Sequence, residues 1–176
     1  MTEDMIKVVD EGLALESAKR GEELTKYLVE GKVESKEKAE RHQGRYLAYH
    51  EVNSLRMKGR QDELWKWLHI WKQRAKKYIR WYKRDENFDA LAVHEGMLEV
   101  FTELQNMFIQ SGKVQASIVE IRTVAGQNMY YLEDGIGKRF KKRGYEIKML
   151  GDAASKLPAG VSPAEAAIGR EVLILK

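Results

Sequence analysis

Cysteine is absent from this chain of 176 residues, which excludes a disulfide framework, thiolate catalysis and Cys-based zinc sites together. Proline is almost absent: Pro158 and Pro163 are the only two, so residues 1–157 run without one. Proline usually punctuates loops and sheet edges, so this stretch argues for helices. No run approaches the roughly 18 uninterrupted apolar residues of a membrane span. The opening MTEDMIKVV has neither the basic n-region nor the apolar h-region of a signal peptide. The expectation is an intracellular protein, or part of a particle assembled inside the cell, with no membrane partner. At 43% hydrophobic and 33% charged, the composition is too apolar for a disordered chain, and the length suits one domain with a proper core.

Catalytic and metal-binding motifs are also missing. The histidines are His42, His50, His69 and His94, and none lies three residues after a glutamate as di-iron bundles require. Neither His50-Glu51 nor His94-Glu95 continues into the second histidine of a zincin helix. Gly135-Ile136-Gly137-Lys138 has Leu132 where a phosphate loop needs its first glycine, and Arg139 where it needs Ser or Thr. No Gly-x-Ser-x-Gly elbow exists. These gaps predict a protein that is not an enzyme and that uses no cofactor or metal.

What is present is an uneven distribution of charge. The net charge of +4 conceals a strongly basic segment, residues 63–84, in which Lys66, Lys72, Arg74, Lys76, Lys77, Arg80, Lys83 and Arg84 face Glu63 alone. Residues 85–112 follow with Asp85, Glu86, Asp89, Glu95, Glu99 and Glu103 and no Lys or Arg. A second basic knot, Lys138-Arg139-Phe140-Lys141-Lys142-Arg143, lies between Gly137 and Gly144 and reads as a flexible basic loop without an acidic complement.

Apolar periodicity predicts four helices. Met5, Val9 and Leu13, then Leu24, Tyr27 and Leu28, mark one over residues 3–29. Ser35 is a candidate cap for a second over 36–58, with Ala39, His42, Tyr46, Tyr49, Val52 and Leu55 inward. Asp62 is a candidate cap for a third over 62–84, where Leu64, Leu68, Trp71, Ala75, Tyr78 and Tyr82 form a helix–helix seam. Asn87 is a candidate cap for a fourth over 88–110, whose two adjoining apolar stripes suggest a central position. For residues 112–132, a stripe through Val114, Ile118, Ile121, Ala125 and Met129 favours a fifth helix over the strand that the β-branched run 118–124 would also suit. Beyond it, Tyr145–Leu150 reads as a short strand, Ser162-Pro163-Ala164-Glu165 as a capping box opening a short helix, and 171–175 as a terminal strand. The expected fold is therefore all-α: a bundle of four or five amphipathic helices over 1–132, with an irregular Gly-containing C-terminal extension over 133–176 and a short terminal strand.

Two functions follow from these features. The favoured one is a structural or assembly protein that oligomerises or docks into a larger complex. The basic and acidic helices would supply complementary faces, internally or between subunits, and the terminal strand would add to a partner's sheet. Its contact residues would be Trp65, Trp81, Glu95, Glu99, Glu103, Val172, Leu173, Ile174 and Leu175. By analogy of architecture alone, the layout suits a ring or connector component such as a viral particle uses. The alternative is nucleic-acid binding. There Lys66, Lys72, Lys76, Arg80 and Lys83 of the aromatic helix, with Lys138, Arg139, Lys141, Lys142 and Arg143, would meet phosphates while an exposed ring stacks on a base.

Overall fold

The computed structural model describes residues 1–112, 114–150 and 167–174, and it divides the chain into two compact units, Met1–Met107 and Phe108–Lys176. It is a mixed fold of four helices and a five-stranded antiparallel sheet, which corrects the all-α expectation. No described helix is long and apolar enough to cross a membrane.

The helices are α1 (Glu3–Glu30), α2 (Val33–Met57), α3 (Leu64–Arg84) and α4 (Phe88–Gln110). Thr2 caps α1 by accepting a hydrogen bond from the Met5 N–H at 3.2 Å. Gly31 ends the helix in the left-handed region, at φ 68°. Ser35 is not a cap: α2 begins two residues earlier and buries it. Nor does Asp62 cap α3, because Gln61–Glu63 form a 3-10 turn that leads into the helix. Asn87 does cap α4, its Oδ1 accepting from the Ala90 N–H at 3.1 Å.

Packing in the helical unit is closest where side chains are missing. A Cβ placed on Gly44 of α2 would overlap the Val93 carbonyl of α4, and one on Gly96 would overlap the Arg41 carbonyl. The two backbones therefore cross at contact distance, glycine against helix. Between α1 and α2, Gly12 lies under the ring of buried Tyr49 in the same way. Helices α3 and α4 run antiparallel: Trp71 stacks on Phe101 at 5.4 Å, while Tyr78 and Tyr82 hold His94 at 5.0 and 5.1 Å. Met5, Val9, Val52, Leu64, Leu68, Val100, Phe101 and Leu104 form the core, each contributing on the order of 1.5–3 kcal/mol by burial.

The second unit holds strands β1 (Gln115–Val124), β2 (Gln127–Asp134), β3 (Arg139–Arg143), β4 (Ile147–Met149) and β5 (Glu171–Ile174), in the order β3-β2-β1-β5-β4. The expected fifth helix is thus the β1–β2 hairpin, with Val124 paired to Gln127 across the two-residue turn Ala125-Gly126. Both turn residues have positive φ, 51° and 76°, the geometry that matches the twist of paired strands. A bulge between Ile118 and Glu120 shifts the register. Among the described residues, Ala116, Ile118, Leu132, Ile147, Val172 and Ile174 are the buried apolar residues of the sheet, and Asp134 is buried with them. The 138–143 knot is also corrected: Arg139–Arg143 is a strand at the sheet edge. The anticipated strand over 145–150 is observed as Ile147–Met149. The capping box at 162–165 lies outside the described residues.

Candidate functional site

The charge on α3 comes directly from its seam. With Leu64, Leu68 and Ala75 buried, helical geometry turns Lys66, Arg74, Lys76, Lys77, Arg80, Lys83 and Arg84 to the outside, and all seven are exposed. From Lys66 to Arg84 this row is about 27 Å long at 1.5 Å per residue. Its N-terminal end is held by a fork in which Arg60 donates to both Glu63 oxygens at 2.6 and 2.7 Å, while Trp67 Nε1 donates to the same carboxylate at 3.2 Å. The Arg60 hydrogen bonds hold the Glu63 carboxyl far below its usual range, at about 2. The last turn carries Lys83 and Arg84, which suit the negative end of the helix dipole.

The acidic face of α4 does not neutralise this row. It meets α2 instead. Arg41 donates to Glu95 at 2.6 Å and to Glu99 at 2.9 Å, and Arg45 donates to Glu99 at 3.0 Å and lies 3.8 Å from Glu103. Lys36 reaches Asp89 at 2.5 Å. Arg45 also donates through Nε, at 2.9 Å, to Glu16, a carboxylate only 2% exposed whose other oxygen faces His42 Nδ1 at 2.6 Å. Burial pushes the Glu16 carboxyl up, but the hydrogen bonds and charges of Arg45 and His42 outweigh it and hold the group below its ordinary value. The crossing at Gly44 and Gly96 makes this arrangement possible, because it sets the two helices close enough for short arginine forks.

On α3, by contrast, Arg74, Lys76, Lys77, Lys83 and Arg80 form no ion pair within 4 Å among the described residues; Arg80 instead donates to the Lys76 carbonyl at 3.3 Å. Arg84 reaches only its neighbour Asp85, at 3.4 Å. Lys72 differs from these. It is half-buried, donates to Gln105 Oε1 at 3.1 Å, and burial, followed by the charge of Lys76, lowers its pKa.

Comparison with known proteins adds no further guide: a scan against family models and searches of curated proteins and of solved structures each return no match. The site is therefore read from its own residues. Trp81 is 46% exposed at the edge of the cationic row, with one face backed by Tyr82 at 5.3 Å and Tyr78 tilted beside it at 6.1 Å. A ring supported in this way is set for stacking on a flat partner. Trp65 is half-buried and engaged within the protein.

The other residues singled out by sequence lie elsewhere in the charge pattern. Glu95, Glu99 and Glu103 are in the α2–α4 zipper. Val172, Leu173 and Ile174 lie in β5, which pairs with β1 on one side and β4 on the other, so this strand has no open edge; Leu175 lies outside the described residues. In the 138–143 knot, the acidic complement not seen in sequence is present. Arg139 pairs with Glu133 at 2.8 Å and Lys142 with Glu146 at 3.1 Å. Lys138 lies over Phe140 at 4.9 Å, Lys141 over Tyr131 at 5.9 Å, and the exposed Arg143 gives its backbone N–H to Glu146 at 2.7 Å. The cationic residues of the sheet are thus partly neutralised within the sheet.

Sequence periodicity places Trp71 and Tyr78 in the helix–helix seam, with Trp67 on the same apolar face. These three side chains also line a pocket of about 430 Å³ that opens to solvent between α2, α3 and α4. The available signal was Arg74, which stands one helical turn from both Trp71 and Tyr78. That the end of α2 leaves space beside these rings is a packing outcome that no local pattern encodes.

Proposed function

We propose that this chain binds nucleic acid through the outer face of α3, with Lys66, Lys76, Lys77, Arg80 and Lys83 on phosphates and Trp81 stacking on a base. One observation carries this reading: the carboxylates that could have neutralised α3 are held by Arg41 and Arg45 of α2, which leaves Lys76, Lys77, Arg80 and Lys83 without an ion pair among the described residues. A row of exposed cations beside a supported indole is the combination that single-stranded nucleic acid uses, charge for the backbone and a ring for the base. The role is one of binding, with no catalytic step.

The test is fluorescence anisotropy with labelled single-stranded and duplex oligonucleotides across a salt series. Binding should weaken linearly in log–log form. Reversing Lys66, Lys77 and Arg80 to Glu should reduce the slope by roughly 0.7–0.9 for each phosphate that is no longer neutralised. Unchanged binding by the folded triple variant, or no binding by the wild type at low salt, would overturn the reading.

A second reading, docking into a protein assembly, is favoured by a different feature. Leu28, Val29 and Val33, at 77%, 77% and 75% exposure, form an apolar end where α1 turns into α2. Light scattering after size exclusion tests it. Association that persists in high salt and disappears in Leu28→Asp would support it, and a monomer at every salt concentration would count against self-association.

A further inference from the structure

The pocket beside α3 is the feature that the cationic row does not explain. Its wall is aromatic: Trp71 stacks on Phe101, and Trp67 tilts against Trp71 at 5.7 Å. Its rim carries charge of both signs, with Arg74 and Lys58 as exposed cations and Glu51, on the last turns of α2, as an exposed carboxylate. Arg74 also belongs to the outer row of α3, so pocket and row share a border. A volume of about 430 Å³ lies within the usual range for a small-molecule site and exceeds the space that one base needs.

We propose that this pocket receives a single nucleobase, with its phosphate at Arg74 and Lys58, and that it prefers guanine. The assignment rests on the nucleic-acid reading and deepens it: a strand lying along α3 would turn one base inward at Arg74. The Arg60 guanidinium lies over the Trp67 ring, 5.6 Å from its centroid, and a planar ring entering beside Trp67 and Trp71 would take that place, exchanging one π contact for stacking without giving up a hydrogen bond. Base identity is then set at the rim. A carboxylate is an acceptor only. Guanine offers it two adjacent donors, N1–H and the exocyclic amino group, in a fork that matches its two oxygens. Adenine and cytosine offer one amino group beside an acceptor nitrogen, and uracil one N–H between two carbonyls that the carboxylate repels. The neighbouring Arg60 is paired with Glu63 through Nε and Nη2 and forms no ion pair with Glu51 among the described residues.

The experiment titrates the free mononucleotides GMP, AMP, CMP and UMP into the full chain. Quenching of intrinsic tryptophan fluorescence is the readout, with guanosine and inorganic phosphate as controls. Saturable quenching by GMP, at least about tenfold tighter than by UMP, is expected, with guanosine weaker than GMP and phosphate silent. Glu51→Gln, an exposed substitution, should abolish the preference while leaving the fold intact, and Trp67→Ala should weaken all four nucleotides. No saturation by GMP, or an unchanged preference in Glu51→Gln, overturns the pocket assignment. If oligonucleotides still bind in that case, and are lost on reversing Lys66, Lys77 and Arg80, the α3 reading survives without it. If GMP binds but reversing those cations does not affect oligonucleotide binding, the pocket stands as a nucleotide site and the α3 reading falls.

Discussion

Helices α2 and α3 carry the same kinds of cationic residue at similar helical spacing, and the two sets have opposite fates. Arg41 and Arg45 of α2 are half-shielded and forked onto Glu95, Glu99 and the buried Glu16. Lys77 and Arg80 of α3 are exposed and form no ion pair within 4 Å among the described residues. The cause is geometric. Gly44 and Gly96 bring α2 against α4 with nothing between their backbones, whereas α3 meets α4 through Trp71, Tyr78 and Tyr82, whose bulk keeps its lysines away from the acidic face. Adjacency in the chain therefore did not decide which basic helix the acidic helix would satisfy; the closeness of approach did. Cations of the first kind belong to the architecture, and those of the second kind are available to a partner.

Breaking the close crossing should have the largest effect. Gly44→Ala forces a methyl group into the Val93 carbonyl and should cost about 3 kcal/mol or more, read as a lowered urea midpoint. The same substitution at Lys77, to Ala, should stay within about 0.5 kcal/mol. Next, Arg45→Ala strips the buried Glu16 of its stronger partner. The usual cost of breaking a buried pair is about 3–5 kcal/mol, and because His42 remains we expect about 2–3. A comparable urea midpoint for Arg45→Ala and Lys77→Ala would erase the distinction between architectural and available cations.

Acid should weaken the Glu16 contact on the α2 side of the comparison, where Lys77 and Arg80 of α3 have no ion pair to lose among the described residues. The folded-state pKa of Glu16 lies below its ordinary value of 4.5, so its stabilising contribution is complete above 4.5 and is lost as pH falls through the lowered value. Stability should decline on acidification below about pH 4.5, and Glu16→Gln should flatten that part of the profile. The smallest effect sharpens the contrast from the other side. Gln73→Glu places a carboxylate one turn before Lys77 on the outer face of α3, giving that helix the partner it lacks. It should stabilise by about 0.2–0.5 kcal/mol and weaken oligonucleotide binding at low salt. A gain in binding would show that the row does not read phosphates.

The four helices were legible because a 3.6-residue stripe survives in sequence regardless of what covers it, and Asn87 announced the start of α4. The β1–β2 hairpin was not. Val114, Ile118, Ile121, Ala125 and Met129 reproduce a helical stripe by coincidence of spacing. The turn between the strands is Ala125-Gly126, with alanine in a left-handed position that asparagine or glycine usually signals, so the local cue was missing. The strand at 171–174 was readable from composition, but its position inside the sheet depends on β1 and β4 and is not a local property. In the candidate site, the lysines and Trp81 were visible as an amphipathic pattern. The capture of Glu95, Glu99 and Glu103 by α2 and the opening beside Trp67 both depend on which helices touch, and the glycines that decide this are far apart in sequence.

The interior position of β5 also has a consequence for how the protein is made. Ala116 pairs with Val172, so the strand that completes the sheet is synthesised long after the strand it joins. The helical unit has all its residues once position 107 has been added. Strand β1 is then left with one side unoccupied while the intervening chain is produced, roughly 3–12 s at common translation speeds. During that interval a nascent molecule whose bundle is already complete presents a raw strand edge, and neighbouring ribosomes on one message could join their products through it. Slower translation through this region would lengthen the exposure, so the yield of soluble protein should depend on codon usage between β1 and β5 more than on codon usage in the helices.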